Sequence, residues 1–117
     1  ACIQTIVIDD ALFDRYVKST DFIQQYIFPG GCLPCPREFR AHAERAGLKV
    51  VDELAFGLDY AETLRRWRHQ FMADKAQVLQ LGFDERFIRI WEFYLAYCEA
   101  GFEQHNIDVF QYTLLKP

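Results

Sequence analysis

The sequence predicts an α/β domain, and three observations carry that reading. Stretches 2–8, 48–56 and 107–115 are apolar or alternate in the two-residue period of a strand. Between them, apolar side chains recur at helical spacing. Glycine, proline and aspartate punctuate the junctions. The resulting order is β-α-α-β-α-α-β, with about four to five helices, no internal repeat and no disordered segment. The first two strands, joined through helices, form a crossover unit and should run parallel if they share a sheet. Three strands are few for so many helices, which is the pattern of part of a larger sheet. The chain also opens on Ala1 and runs directly into Cys2-Ile3-Gln4-Thr5-Ile6-Val7-Ile8. It is therefore expected to be a piece of something longer.

Residues 2–8 read as a strand covered on both faces. Asp9 and Asp10 are N-cap candidates for a short helix over 10–18, with Leu12, Phe13, Tyr16 and Val17 on its apolar side. Ser19-Thr20-Asp21 offers a second cap. The helix over 21–28 places Phe22, Ile23, Tyr26 and Ile27 at helical spacing. Pro29 stops it, because proline lacks an N–H and restricts the residue before it. Gly30-Gly31 permits a tight turn. Pro36 suits the first turn of a helix over 36–46, and Gly47 suits its end. After the strand at 48–56, Asp59 is expected to cap one helix over 60–80, carrying Tyr60, Leu64, Trp67, Phe71 and Val78. Gly82 breaks it. Asp84 caps a helix over 84–102 that extends roughly 28 Å and presents Phe87, Ile90, Trp91, Tyr94, Leu95, Cys98 and Phe102. Residues 107–115 close the chain as a strand.

Half of the 117 residues are hydrophobic, and the aromatic share of 16% includes eleven phenylalanines. That suits a large core, a partner surface or an apolar ligand site. The stretch Asp21–Phe28 with its rigid Pro-Gly turn then has two readings, a surface helix packed on a core or the wall of a pocket for an apolar ligand. Net charge is −4 without a basic run, which argues against nucleic acid as a partner. The densest basic segment, Arg65, Arg66, Arg68 and His69, reads as a solvated helix face or as a patch for anionic headgroups. No apolar run approaches the ~20 residues of a membrane span. Cys2, Cys32, Cys35 and Cys98, in a chain without secretory features, suggest reduced thiols in a cytoplasm. Cys32-Leu-Pro-Cys35 has C-x-x-C spacing, but no strand precedes it and no second cysteine pair completes a zinc set. His42, His69 and His105 are scattered. Tyr60 follows a strand at a helix start, where α/β folds collect functional groups. Gln4 lies inside an apolar strand and needs a polar partner if buried.

Three blocks occur in a telling order: Asp21-Phe-Ile-Gln-Gln-Tyr-Ile-Phe-Pro-Gly-Gly-Cys-Leu-Pro34, Asp59-Tyr-Ala-Glu-Thr-Leu-Arg-Arg-Trp67, and Phe83-Asp-Glu-Arg-Phe-Ile-Arg-Ile-Trp-Glu-Phe-Tyr-Leu-Ala-Tyr-Cys-Glu-Ala-Gly-Phe102. Together they resemble the C-terminal part of the cyclopropane-fatty-acyl-phospholipid synthases and mycolic acid cyclopropane synthases, across essentially the whole chain. The resemblance implies the C-terminal part of a class I S-adenosylmethionine methyltransferase fold. Residues 1–117 would be one unit with a three-stranded mixed sheet, the last strand antiparallel between the other two. The cofactor-binding half would lie upstream.

In such enzymes a methyl group passes to the double bond of an unsaturated phospholipid acyl chain. A bound bicarbonate then removes a proton and a ring closes. The resemblance implies a cytoplasmic enzyme working at a membrane surface. By this matching, Tyr60 helps hold bicarbonate, Ile6 contributes a backbone N–H, and Cys98 lies near the pocket. Phe22, Ile27 and Phe28 line the acyl channel. Where the family strand reads Leu-His-Thr-Ile, this chain reads Ile3-Gln4-Thr5-Ile6. Gln4 can hydrogen-bond an anion but cannot become cationic. The bicarbonate site, and ring closure with it, is thereby in question. A methyl- or methylene-forming relative, a stand-alone binding module and a thiol redox protein are the alternatives. An incomplete sheet also predicts self-association through the unpaired first strand.

Overall fold

The computed structural model describes residues 1–117. Three strands, β1 (Cys2–Ile8), β2 (Lys49–Ala55) and β3 (Ile107–Leu115), form one sheet in the order β1-β3-β2. β3 runs antiparallel to both neighbours, so β1 and β2 are parallel to each other but never touch. Six helices surround the sheet: α1 (Asp10–Tyr16), α2 (Phe22–Tyr26), α3 (Pro36–Arg45), α4 (Gly57–Ala73), α5 (Lys75–Gln80) and α6 (Glu85–Glu103).

The alternation of β3 divides the core into two layers. Val109 faces one side, where it joins Ala61 and Leu64 of α4 and Leu95, Cys98 and Phe102 of α6. Tyr112 and Leu114, of opposite parity, face the other side with Val7 and Ala43 of α3. Phe39 stacks on Tyr112 with ring centroids 4.0 Å apart. The radius of gyration is 16.6 Å, against ~13 Å for a compact domain of this length. The excess reflects a long axis of 52 Å.

Local chemistry explains most boundaries. The Asp9 side chain accepts from the Ala11 N–H at 2.8 Å. Asp21 and Gln24 form a reciprocal capping box at 2.8 and 3.0 Å. Asp84 accepts from the Phe87 N–H at 2.8 Å. Gly47 ends α3 at φ 74°, a conformation that a Cβ disfavours.

Three expectations need correction. The helix expected over 60–80 is two helices, interrupted at Asp74, whose backbone leaves helical geometry (φ −93°, ψ 11°). Asp59 does not cap it. α4 begins two residues earlier, at Gly57, and its free N–H is satisfied from β3, where Asp108 Oδ1 accepts from Gly57 at 2.7 Å and from Val109 at 2.8 Å. Gly57 is required there, because a Cβ would overlap the Asp108 carboxylate and approach its Cα to 3.2 Å. Finally, β1 is not covered throughout: Val7 and Ile8 are buried, but Cys2, Ile3 and Gln4 are exposed. The covering helices reach only its C-terminal half.

Candidate functional site

The site is built where α4 and α6 cross the sheet. The Asp108–Gly57 contact fixes the start of α4 and so places Tyr60 in its first turn. Tyr60 is half-buried, edge-on to Phe102 at 5.3 Å and to Trp67 at 6.0 Å. Trp67 itself is 51% exposed, so it borders the cluster without filling it. Ile6, Tyr60 and Tyr94 pack against the buried group that contains Cys98 and Phe102. Three of the residues singled out from sequence, Ile6, Tyr60 and Cys98, therefore come together from three separate elements.

The backbone of β1 supplies a donor at this place. Ala1 and Leu114 exchange both of their backbone hydrogen bonds. By the alternation of an antiparallel pair, Ile6 opposite Val109 is then a non-hydrogen-bonded position. Its N–H points to the outer edge of β1, where the Ile8 N–H already donates to the Pro34 carbonyl at 2.9 Å. Gln4 lies two residues from Ile6 on the same sheet face. Its side chain is exposed, and its Oε1 accepts from Gln111 Nε2 at 2.9 Å. The polar partner expected for it exists, and its own Nε2 is left to donate elsewhere. The donors on this part of the chain are the Ile6 N–H and the Gln4 amide of β1 and the Tyr60 hydroxyl of α4. Those groups fit bicarbonate as hydrogen-bond acceptor, without the cationic partner that a histidine would provide.

Cys98 is 5% exposed. Burial pushes its thiol up to about 12, opposed by a hydrogen bond from Tyr94. The Tyr94 hydroxyl is likewise pushed up to about 12 by burial and by the neighbouring Cys98 and Tyr60. Both groups are neutral across the physiological range. Tyr94 escaped the sequence reading as a functional residue, although its i,i+4 relation to Cys98 puts the two on one helix face.

From Tyr94 an aromatic track runs along α6. Trp91 lies 5.0 Å from Tyr94, Phe87 5.8 Å from Trp91, and Phe83 4.4 Å from Phe87. Phe71 of α4 meets Phe87 at 6.4 Å. Phe28, just beyond α2, caps the other end, edge-on to Tyr94 at 6.2 Å. The track covers about 16 Å of helix axis from Phe83 to Tyr94. Ile27 is half-buried and ends α2, its N–H donating to Ile23 O at 3.0 Å. Phe22 goes elsewhere: it packs on Phe93 (4.7 Å) and Tyr97 (6.3 Å), on the outer side of α6. Ile23, not Phe22, reaches the core.

Two grooves adjoin these elements. One of about 360 Å³ lies between α1, α2 and the C-terminal half of α6, bordered by Tyr16, Asp21, Ile23, Tyr97 and Ile107. A shallow one of about 530 Å³ runs along β2 on the α3 side and holds none of the expected site residues. The basic segment on α4 is neutralised: Arg65 binds Glu62, Glu99 and Glu103, Arg66 binds Glu62, and Arg68 binds Glu99. All four cysteines are free thiols, Cys32 exposed and Cys35 buried. No three His, Cys, Asp or Glu side chains stand together as a metal site would require. No helix is long and apolar enough to cross a membrane.

Sheet order and aromatic track together define an α/β unit with one wall lined by aromatic rings. The profile of a family described as mycolic acid cyclopropane synthetase matches residues 2–112. The tuberculostearic acid methyltransferase UfaA1 of Mycobacterium tuberculosis is 48% identical over 96 residues, covering 81% of this chain and 22% of that protein. The cyclopropane-fatty-acyl-phospholipid synthase of Escherichia coli K12 is 34% identical over 99 residues, covering 80% of this chain and 25% of that protein. The crystal structure of the mycolic acid cyclopropane synthase CmaA1, complexed with SAH and CTAB, matches 97% of this chain and 42% of its own, at TM-score 0.84 and 29% identity. The chain belongs to the mycolic acid cyclopropane synthetase family. It spans about a quarter of the length of the first two relatives.

Proposed function

We propose that this chain forms the acyl-chain side of an S-adenosylmethionine-dependent enzyme that transfers a methyl group to the double bond of an unsaturated lipid acyl chain. The observation that carries this is the meeting of Tyr60, Ile6, Cys98 and Tyr94 at one end of the aromatic track. S-adenosylmethionine would supply the methyl group from residues outside this chain, which contains no glycine-rich cofactor loop. The chain's own residues bind and shield the substrate. Phe28, Tyr94, Trp91 and Phe87 offer ring faces to the acyl chain and to positive charge developing on it, and they keep water away. Tyr60 and the Ile6 N–H would hold an anion that accepts the proton lost afterwards.

The product depends on the fate of the cation: loss of a proton from the added methyl with closure onto the cationic carbon gives a ring, the same loss after a 1,2-hydride shift gives a methylene, and loss from the neighbouring chain carbon leaves a methyl branch beside a double bond. Gln4 in place of a histidine, together with the similarity to a protein named a methyltransferase, favours a methylene or methyl branch. Ring closure is the second reading, favoured by the Ile6 and Tyr60 donors and by relatives named cyclopropane synthases. The full-length protein containing this chain should pass labelled methyl from S-adenosylmethionine to phospholipid with monounsaturated chains. Proton NMR of the released fatty acids then separates a ring methylene from an exocyclic one. Absence of label in lipid refutes the proposal. Phe28→Ala should weaken binding of a monounsaturated fatty acid by about tenfold with little loss of stability, since Phe28 is already 57% exposed.

The same reading places the enzyme in the cytoplasm, at a membrane surface. Within this chain the outer edge of β1 is unpaired, and we read it as a surface for self-association, to be tested by light scattering at rising concentration.

A further inference from the structure

Glu99 is the one charged residue buried in this chain, at 9% exposure. It lies in the seam between α4 and α6, next in sequence to Cys98. The two helices run in opposite directions there, since Tyr60 meets Phe102 while Phe71 meets Phe87. At about 100° per residue, the seam centred on the buried Leu64 and Leu95 has two flanks. Tyr60 and Trp67 fall on one side of Leu64, and Tyr94 and Cys98 fall on the matching side of Leu95. Arg65 and Arg68 fall on the other side of α4, and Glu99 and Glu103 on the other side of α6. On this second flank the charges join. Glu99 Oε1 accepts from Arg65 Nε at 2.9 Å, and Oε2 accepts from Arg68 Nη2 at 3.2 Å. Arg65 also pairs with Glu62 and Glu103, whereas Arg68 has no other acid. The Arg68 Nε is buried without a partner, so this side chain depends on Glu99 alone.

We propose that Glu99 is a positioning residue: by holding Arg65 and Arg68 it fixes the roll of α4 on α6, and with it the place of Tyr60 beside Cys98 and Tyr94. The inference rests on the proposed acyl-chain reading and adds a residue that acts on that site from the opposite flank of the seam. Leucine and alanine contacts are non-directional, so an apolar seam alone leaves α4 free to roll. Charge-assisted hydrogen bonds to both carboxylate oxygens are directional and oppose that motion. A buried ion pair adds little stability, since apolar side chains of similar volume often serve as well. Fixing register is the best attested use of such a group between helices. A small roll has a large effect. Turning α4 by about 10° moves a group about 6 Å from its axis by about 1 Å, and a misplacement of about 1 Å can lower a rate about a hundredfold. Tyr60 and Arg68 stand about 12 Å apart along the unbroken α4, so the helix passes the roll from one to the other.

The test uses the full-length protein containing this chain. Glu99→Leu with Arg68→Leu replaces the ion pair by apolar groups and should keep the urea midpoint of wild type. Glu99→Gln keeps the volume and drops the charge. Phe39→Leu loosens the opposite layer of the core, where Phe39 stacks on Tyr112, and serves as a destabilised control. Both Glu99 variants should lower kcat for methyl transfer to monounsaturated phospholipid at least about tenfold, with KM little changed. In both, Cys98 should be alkylated several-fold faster by iodoacetamide, read by peptide mass spectrometry on the folded protein, because a rolling α4 uncovers its flank of the seam. Phe39→Leu should change neither readout. Wild-type kcat in a folded double variant overturns the inference, as does an unchanged Cys98 rate. If the double variant does not fold, Glu99→Gln decides by the same two readouts. A loss of kcat in Phe39→Leu equal to that in Glu99→Gln shows a merely structural role and also overturns it. Absence of methyl transfer by wild type refutes the acyl-chain reading instead, and the Cys98 rates then still report whether Glu99 fixes the seam.

Discussion

Removing the Asp108 carboxylate should loosen the start of α4 and with it the placement of Tyr60. One carboxylate oxygen accepts from the N–H groups of Gly57 and Val109, at 2.7 and 2.8 Å, and Gly57 is buried. Asp108→Ala strands both donors away from water. A lost cap and a buried donor left without a partner each remove roughly 1–2 kcal/mol, so the expected loss is about 2–3 kcal/mol. With a urea m-value of about 2 kcal/mol/M, the midpoint should fall by about 1–1.5 M. Asp108→Asn keeps an acceptor oxygen and loses the charge that favours a helix N-terminus, so about 1 kcal/mol is expected. Gly57→Ala should be milder in the Asp108→Ala background than in wild type, because the added methyl collides with the carboxylate that is then absent. Urea titrations of the four chains decide this. A loss below about 0.5 kcal/mol for Asp108→Ala would refute the capping account. So would additive effects of the two substitutions.

Thiol reactivity should divide the cysteines into two pairs. Cys2 and Cys32 are exposed, whereas Cys35 and Cys98 are buried with their thiols pushed up, Cys98 to about 12. Since the thiolate is the nucleophile, a disulfide reagent at pH 8 should titrate two thiols quickly and two only in denaturant. A third fast thiol would contradict the packing around Cys98 or Cys35. A second expectation concerns acid stability. Arg40 donates two hydrogen bonds to Glu53 at 2.6 and 2.7 Å and holds its carboxyl below the usual range. Because the folded pKa is depressed, this contribution is present above the unfolded value near 4.5 and is lost as pH falls through the folded one. Glu53→Gln should therefore flatten the acid limb of the stability curve between about pH 5 and 3, read by urea midpoints at each pH. An unchanged acid limb would show that the partly exposed pair contributes nothing to folding.

The sequence by itself determined the elements and much of their connectivity. Asp9, Asp21 and Asp84 cap their helices through local hydrogen bonds, and Pro36 and Gly47 bound α3. These signals act within a few residues and are legible without a partner. The resemblance in the three blocks also anticipated the sheet order, with 107–115 antiparallel between 2–8 and 48–56. Only the tertiary structure decided the rest, because its causes lie far apart in the chain. The cap of α4 comes from Asp108, 51 residues after Gly57, so local reading chose Asp59. The exposed half of β1 and the different directions of Phe22 and Phe28 depend on where α6 crosses, which periodicity leaves open. Likewise, Arg65, Arg66 and Arg68 are a dense basic segment in sequence but a neutralised one in space, since Glu99 and Glu103 arrive from α6. Phe22 and Phe93 are far apart in sequence and meet edge-on only when α2 folds beside α6. Short-range hydrogen bonds write themselves into adjacent residues, whereas a wall built from several helices exists only once distant helices meet.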